Sequence, residues 1–203
     1  MNDAWTTVPT LVGRHVRLEP LGMQHVDGLR AATDEALATC WYTHVPAPDD
    51  MAGHVEAALR KQAGGESMAF VVLDADGVPC GSTRFYDMDP AVPRLQIGYT
   101  WYARRVQRTA VNTESKRLLL GHAFETLGCA AVGFQTSWFN HASRNAIERL
   151  GAKRDGVIRN HRRHADGSLR DTVTYSIIDG EWPAVRCHLE AKLAGHDRGG
   201  VTS

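Results

Sequence analysis

An abrupt change of hydrophobic period after Tyr102 restricts the architectures that this chain can adopt. Residues 68–73, 78–86 and 95–102 are rich in Val, Phe and Tyr or alternate apolar with polar positions, as β-strands do. The sequence Asp-Ala-Asp-Gly at residues 74–77 favours a hairpin between the first two runs. The first part of the sheet is therefore predicted to be antiparallel.

Helix-like and strand-like segments alternate beyond this point. Apolar positions recur with helical spacing over residues 112–127, and Gly128 stands where a helix C-terminus favours glycine. Residues 132–138 alternate again, and residues 142–150 form a second helical stripe that ends at Gly151. This order indicates a mixed α/β sheet with helices on its faces.

The two ends of the chain add further elements to this sheet. Residues 15–21 alternate like a half-buried strand, and residues 23–33 and 50–63 carry apolar residues at helical spacing. Near the C-terminus, a hairpin that turns at Asp166–Gly167 is followed by a helix around residues 183–193. The sheet is thus predicted to gain strands at both ends of the chain.

Composition indicates an ordinary globular domain. Of the 203 residues, 43% are hydrophobic and 23% are charged, and no linker, repeat or low-complexity segment divides them. We expect one domain over residues 1–195 and a disordered tail at residues 196–203. The chain shows neither a basic leader before an apolar run nor a stretch of about 18 apolar residues, so we expect a cytoplasmic protein without membrane contact.

Charge and metal-ligand spacing limit the classes of partner. Lys plus Arg equals Asp plus Glu at 23 each, so no net field favours nucleic acid, although residues 159–164 form a short basic run. We interpret this run as a solvated face or as a contact to an acidic acceptor. Within that run, His161 and His164 would point to opposite faces of a strand, and we expect no metal site.

The scattered cysteines are predicted to be reduced thiols. They are Cys40, Cys80, Cys129 and Cys187.

The loop at residues 104–109 is a candidate phosphate site because it joins a strand to a helix. A helix N-terminus presents unpaired N–H groups and the positive end of a dipole, which attract phosphate. Arg104, Arg105 and Arg108 would strengthen that attraction. The alternative is a solvated loop before an ordinary helix.

Three segments together carry a resemblance to a known family. They are IGYTWY at residues 97–102, VNTESKRLLLGHAFE at 111–125, and Asn-His-Ala-Ser at 140–143 followed by AIERLGAKRDGVIRNH. In this order the chain resembles the GNAT acetyltransferase superfamily, in particular its ribosomal-protein N-terminal acetyltransferase-like branch. The resemblance implies a GNAT-like fold, in which a mostly antiparallel sheet contains a central splayed pair of parallel strands, and it implies acetyl-CoA as co-substrate.

The resemblance places a pyrophosphate loop at residues 105–110. The family frame is Gln or Arg, two residues, Gly, one residue, then Gly or Ala, and Arg105 and Ala110 fit it. Arg108 replaces the glycine, whose freedom to adopt a positive φ brings the backbone close to phosphate. The residues implied in coenzyme A binding here are Arg105, Gln107, Arg108, Thr109, Ala110, Val111, Asn112 and Thr113.

The resemblance also assigns roles around the splayed strands. The backbone of Tyr99, Thr100, Trp101 and Tyr102 would line the pantetheine arm, and a free N–H there would stabilise the oxyanion. Asn140 would hydrogen-bond the same arm, and Ser143 would protonate the departing thiolate. Asn and Ser are also favoured helix caps, which is the alternative for both.

A base must remove a proton from the acceptor amine, because an ammonium group does not attack a thioester. The ribosomal branch has a glutamate shortly after the helix-ending glycine, and Asp155 occupies that position here. Its shorter side chain predicts action through a water molecule. The alternative is a surface or turn aspartate, and Asp171 and Glu114 are fallback candidates.

Aromatic residues suggest one wall of the acceptor pocket. Trp41, Tyr42 and His44 lie in a proline-containing loop, and Arg84 and Tyr86 are predicted to face them. The alternative is packing beneath a long loop.

The function expected from these features is direct transfer of acetyl from coenzyme A to a primary amine, with no covalent acyl-enzyme. The acceptor could be a protein N-terminus, a polyamine, an amino acid or an antibiotic, and the protein a monomer or homodimer. The alternative is a non-catalytic acyl-CoA-binding regulatory module, which Arg108 at the glycine position makes plausible.

Overall fold

The computed structural model describes residues 3–43 and 45–199 and is built around one sheet. Its strands are β1 Leu11–Val12, β2 Val16–Pro20, β3 Ser67–Asp74, β4 Pro79–Asp89, β5 Arg94–Tyr102, β6 Ala131–Ser137, β7 Lys153–Arg163 and β8 Leu169–Ile178. They lie in the order β1, β2, β3, β4, β5, β6, β8, β7, and within the described ranges only β5 and β6 pair in parallel. The predicted mixed, mostly antiparallel sheet with one central parallel pair is confirmed.

Helices cover both faces of this sheet. In the described part of the chain they are α1 Val26–Ala32, α2 Glu35–Ala38, α3 Met51–Ala63, α4 Ala110–Gly121, α5 His141–Glu148 and α6 Trp182–Gly199. Helices α1 and α3 pack on one face, and α4, α5 and α6 contribute to the core on the other. None of these helices is long and apolar enough to cross a membrane.

Strand β3 shows why two helical layers form. Phe70 and Val72 belong to the core that contains Leu119 of α4, whereas Ala69 and Val71 belong to the core beneath α3. A strand covered on both faces carries a continuous apolar run rather than strict alternation. The run that the sequence shows at residues 68–73 follows from this double burial.

The parallel pair β5 and β6 separates soon after it begins. Pairing runs from Arg94 opposite Ala131 to Gln96 opposite Gly133 and stops there, although both strands continue. Further along β5, Tyr99 and Thr100 together oppose a single residue of β4, and Tyr99 has a φ of 51°. Such a bulge bends its strand, and a positive φ is uncommon for a tyrosine. The two strands therefore diverge toward their C-terminal ends.

Helix α4 begins earlier than the sequence pattern predicts. The expected start near Asn112 is replaced by Ala110, because Thr109 acts as the N-cap and its side chain accepts a hydrogen bond from the Val111 N–H. The Thr109 hydroxyl also donates to the Val106 carbonyl at 2.7 Å. The helix N-terminus is thereby fixed to the loop that leads into it.

The C-terminal helix is longer than expected. Residues 196–199, predicted as the start of a disordered tail, continue α6, whereas residues 200–203 lie outside the described residues. Asp197 accounts for the difference because it pairs with Arg14 at 2.6 Å and with His15 at 2.9 Å. These contacts join the two ends of the chain, so a local sequence pattern does not reveal them.

Candidate active site

The divergence of β5 from β6 opens a cavity of about 310 Å³. Its walls come from both strands, from the first turns of α4 and α5, from the loop before α3 and from the last hairpin. In the described part of the chain, eight predicted site residues line it: Tyr42, Tyr86, Tyr99, Thr100, Tyr102, Asn112, Asn140 and Ser143. The structure thus brings together residues that are up to about a hundred positions apart in the sequence.

The backbone of β5 forms one edge of this cavity. Beyond Gln96 the side of β5 that points toward β6 has no strand partner in the described chain, so the peptide groups on that side lack ladder bonds, whereas the other side stays paired with β4. Trp101 differs from its neighbours because its side chain is buried in the core beneath α3 and does not line the cavity. Any role of Trp101 in the site is therefore a backbone role, as predicted.

Lys116 is a cavity residue that sequence reasoning missed, as it also missed Arg162 and Arg170. It lies one turn after Asn112 on α4, so both residues face the cavity. Its Nζ donates to Thr100 Oγ1 at 2.9 Å and to Thr83 Oγ1 at 3.5 Å. No carboxylate among the described residues pairs with it, and burial lowers its pKa to about 7. A lysine within the apolar stripe of a predicted helix was the available signal.

The start of α5 presents two polar side chains to the cavity. Asn140 Oδ1 accepts a hydrogen bond from the Ser143 N–H at 3.0 Å, which is the capping role considered as the alternative. The capping bond uses the side-chain oxygen of Asn140 and leaves its NH₂ group available to a ligand. The Ser143 hydroxyl makes no hydrogen bond within the described chain. Capping and ligand binding are therefore compatible here.

The loop before α4 keeps a glycine-like backbone without glycine. Arg108 has a φ of 63°, in the left-handed region that the family's glycine allows. Arg105 forms an ion pair with Asp74, and Gln107 Nε2 donates to the Tyr102 carbonyl at 3.0 Å. These two side chains hold the loop, whereas that of Arg108 remains on the surface.

A cationic groove of about 660 Å³ borders the N-terminus of α4. Arg108, Arg149 and Lys192 line it, and none of the three forms a salt bridge within the described residues. Thr109, Ala110 and Thr113 line the same groove. Positive side chains and the first N–H groups of a helix together make a surface suited to an anion.

The loop that carries Trp41 and Tyr42, here called the aromatic loop, borders the cavity. The Trp41 ring lies 5.4 Å from Phe139 and 4.9 Å from His164, between ring centroids. Tyr42 and Thr43 line the cavity itself, but Trp41 does not. His44 lies outside the described residues. The loop is thus held against Phe139, just before α5, and His164 of the last hairpin, while Trp41 as a wall of the acceptor pocket stays a prediction.

Arg84 lies behind the main cavity rather than in its wall. It is buried, its Nη2 donates to His54 Nε2 at 3.1 Å, and its guanidinium lies 4.7 Å from the Tyr99 ring centroid. It lines a neighbouring cavity of about 240 Å³ that shares Tyr86 and Tyr99 with the main one. The two tyrosines therefore stand between Arg84 and the main cavity.

The three candidate bases lie outside the main cavity in the described structure. Asp155 is exposed and accepts a hydrogen bond from Ser176 Oγ at 2.8 Å. Asp171 pairs with Arg159 at 2.6 Å. Glu114 is buried against the turn between β1 and β2, where its carboxylate accepts two backbone N–H bonds at 3.0 and 2.6 Å. Glu114 thus has a structural role, and Asp155 as base stays a prediction.

Comparison with known proteins defines the class. The acetyltransferase (GNAT) domain family matches residues 15–153. A GCN5-related N-acetyltransferase from Brucella melitensis has 31% identity and a TM-score of 0.82, with coverage of 92% of this chain and 86% of that one. A protein from T. thermophilus assigned as an acetyltransferase has 34% identity and a TM-score of 0.82, with coverage of 93% and 99%. The protein is an N-acetyltransferase.

More distant relatives share the fold. Mycobacterium smegmatis RimJ, solved in complex with CoA-disulfide, has 21% identity and a TM-score of 0.76, with coverage of 95% of this chain and 97% of that one. Comparison with curated protein sequences gave no match. On the match over residues 15–153, the chain belongs to the GNAT acetyltransferase family.

The buried Lys116 predicts an unusual dependence of stability on pH. Its folded pKa of about 7 lies below the ordinary 10.5, so between these values the unfolded chain binds more protons than the folded one. The free energy of unfolding should therefore rise with pH through this window and gain nothing below it. In the wild type this rise should increase the melting temperature by several degrees between pH 6.5 and pH 10. Lys116→Met should abolish the increase, and thermal unfolding across this pH range measures it.

Lys61→Met is the matched control because it removes an exposed lysine from α3. That variant should follow the wild-type pH profile. Identical profiles for Lys116→Met and wild type would show that the lysine is charged in the fold over the whole range.

Proposed function

We propose that this enzyme moves an acetyl group directly from acetyl-CoA to a primary amine of a small molecule or a protein N-terminus. The observation that carries the proposal is the cavity between diverging β5 and β6, bordered by the first turns of α4 and α5. Coenzyme A would supply an activated thioester and a thiol leaving group. RimJ, which shares the fold, was solved with a coenzyme A derivative.

The residues around the cavity fit the chemistry of coenzyme A. Its phosphates need cations and N–H donors, which the groove beside the start of α4 offers through Arg108, Arg149 and Lys192. Its narrow amide-containing arm needs backbone partners, which the open edge of β5 offers beyond Gln96. The loop before α4 joins the two features, because it begins at the end of β5 and ends at the helix N-terminus that borders the groove.

The chain would stabilise the reacting centre through fixed hydrogen-bond donors. We assign a backbone N–H of the Tyr99 to Tyr102 segment to the oxyanion, a contribution worth about 3 to 4 kcal/mol in comparable sites. Asn140 would orient the coenzyme A arm through its free amide group. Ser143, whose hydroxyl has no partner in the described chain, would give a proton to the departing thiolate.

Arg108 does not favour the non-catalytic alternative. That interpretation rested on the loss of the family's glycine, yet Arg108 adopts the φ that the glycine would supply. The loop can therefore present its backbone to phosphate as in other members of the family. Thiol release from acetyl-CoA in the presence of an amine panel tests catalysis, and a binding protein without turnover would contradict the proposal.

Substitution of Arg108 separates its side chain from its backbone. Arg108→Gly should weaken coenzyme A binding roughly tenfold or more, because a charge-assisted contact is lost. The same variant should raise the melting temperature without ligand, because glycine removes the cost of a positive φ. Calorimetric titration and thermal unfolding measure the two effects.

Arg108→Ala is the control, since it loses the guanidinium but keeps the backbone strain. It should bind coenzyme A as weakly as Arg108→Gly and show no gain in stability. Wild-type affinity in both variants would mean that the side chain has no contact with phosphate.

Asp155 is proposed as the base, acting through a water molecule. Asp155→Asn should preserve folding and acetyl-CoA binding while turnover falls by about a hundredfold at neutral pH. Part of the loss should return at higher pH, because a lysine-like acceptor amine with a pKa near 10.4 then deprotonates unaided. Rates from pH 6 to pH 9 measure this.

Asp76→Asn provides the control because Asp76 is an exposed residue of the β3–β4 turn. Its turnover should equal that of the wild type. If Asp155→Asn also retains wild-type turnover at every pH, Asp155 has no part in proton removal.

A further inference from the structure

Two arginines face each other across the last hairpin in the wall of the main cavity. Arg162 of β7 is the register partner of Arg170 of β8, and both line the cavity. Like charges directly opposite on neighbouring strands repel each other. Such a pair is therefore an arrangement that folding alone does not favour.

Neither arginine has an anionic partner in the described chain. The other two arginines of β7 near this point are engaged, since Arg159 pairs with Asp171 at 2.6 Å and Arg163 donates to the Gly167 carbonyl at 2.8 Å. Arg170 Nε is buried and has no hydrogen-bond partner among the residues that the structure describes. Burial is the larger cause that lowers the pKa of Arg170, and the charge of Arg162 lowers that pKa further. An external anion would relieve both costs.

These arginines line the main cavity, and neither is among the described residues that line the cationic groove. Tyr86 of β4 and Tyr42 of the aromatic loop line the same cavity, whereas the groove is lined by the start of α4 and the C-terminal half of α6. In the proposed function, that groove would bind the phosphates of coenzyme A. An anion bound by the arginines would therefore belong to the other substrate.

The cavity also lacks the groups that a cationic acceptor would need. No aspartate or glutamate is among its lining residues in the described chain. A polyamine or a polycationic antibiotic would bring further positive charge beside Arg162 and Arg170 without a counter-charge. The cavity of about 310 Å³ must also hold the acetyl group and part of the coenzyme A arm, which favours a small acceptor.

We propose that the acceptor is a small primary amine that carries a carboxylate, and that Arg162 and Arg170 bind this carboxylate. The planar forks of two guanidinium groups match the two oxygens of a carboxylate. This inference rests on the proposed function and names its substrate class. Arg162 and Arg170 act as specificity residues that fix the distance between the bound carboxylate and the reacting amine.

Matched acceptor pairs test the proposal. Free amino acids, including β-alanine and γ-aminobutyrate to vary the spacing, are compared with their carboxamides, with dipeptides that have Glu or Gln as second residue, and with spermidine. Carboxylates should exceed their amides in kcat/KM by about tenfold to a hundredfold. Removing a carboxylate lowers the pKa of a neighbouring amine, so the comparison is biased against this outcome.

Two variants and one control locate the effect. Arg162→Gln and Arg170→Gln should raise KM for the carboxylate acceptor and erase its advantage over the amide, while KM for acetyl-CoA stays unchanged. Arg163→Gln, which changes a neighbouring arginine outside the cavity, should behave like the wild type. Circular dichroism checks folding, and if Arg170→Gln fails to fold, the exposed Arg162→Gln decides.

The outcomes distinguish this inference from the proposed function. Thiol release that is equal for acids and amides, or largest for spermidine, would overturn the inference and keep the enzyme activity. A rise in KM for acetyl-CoA in Arg162→Gln would assign the arginines to coenzyme A instead and would also overturn it. Preference for the Glu dipeptide over free amino acids would support carboxylate binding and identify a peptide as its source. No thiol release with any amine would contradict the proposed function itself.

Discussion

The site depends on a pairing that β5 and β6 do not complete. Their parallel ladder ends at Gln96 and Gly133, after which the bulge at Tyr99 and Thr100 turns β5 away. Backbone groups without partners cost free energy inside a protein. That cost is tolerable at a cavity because water or an extended amide-containing ligand can satisfy them. The same divergence therefore creates the space and the hydrogen-bonding edge that a substrate would use.

Helix α4 links the two ends of this site. Its N-terminus borders the cationic groove, and Lys116 further along contacts the hydroxyls of Thr83 and Thr100 at the bulge. Helix and bulge are therefore joined by a buried polar cluster rather than by apolar packing alone. Such clusters specify geometry strongly because each member left unsatisfied is costly. Lys116 thus fixes α4, whose N-terminus borders the cationic groove, to the bulged part of β5.

Sequence patterns were sufficient for most of the fold because strand and helix periods are local properties. Resemblance to a family added the cavity residues Asn140 and Ser143, which motif order can identify. Arg162 and Arg170 could not be paired in this way, because the basic run at residues 159–164 contains Arg162 but not Arg170. Their juxtaposition depends on the register of the last hairpin, where a shift between Ile158 and Arg162 changes which residues meet. Register of this kind is decided by pairing across the sheet.

The distribution of charge also explains how a chain with no net charge forms a cationic site. Of its acidic residues, Glu114, Asp171 and Asp197 are each engaged by partners away from the cavity, whose described lining contains no carboxylate. A positive environment favours the neutral form of a bound amine, because an ammonium group is repelled there. In the proposed reaction, the charges that recognise an acceptor carboxylate would therefore also lower the pKa of the acceptor amine. A base outside the cavity that acts through water would then need to be less strong, because the acceptor amine loses its proton more readily.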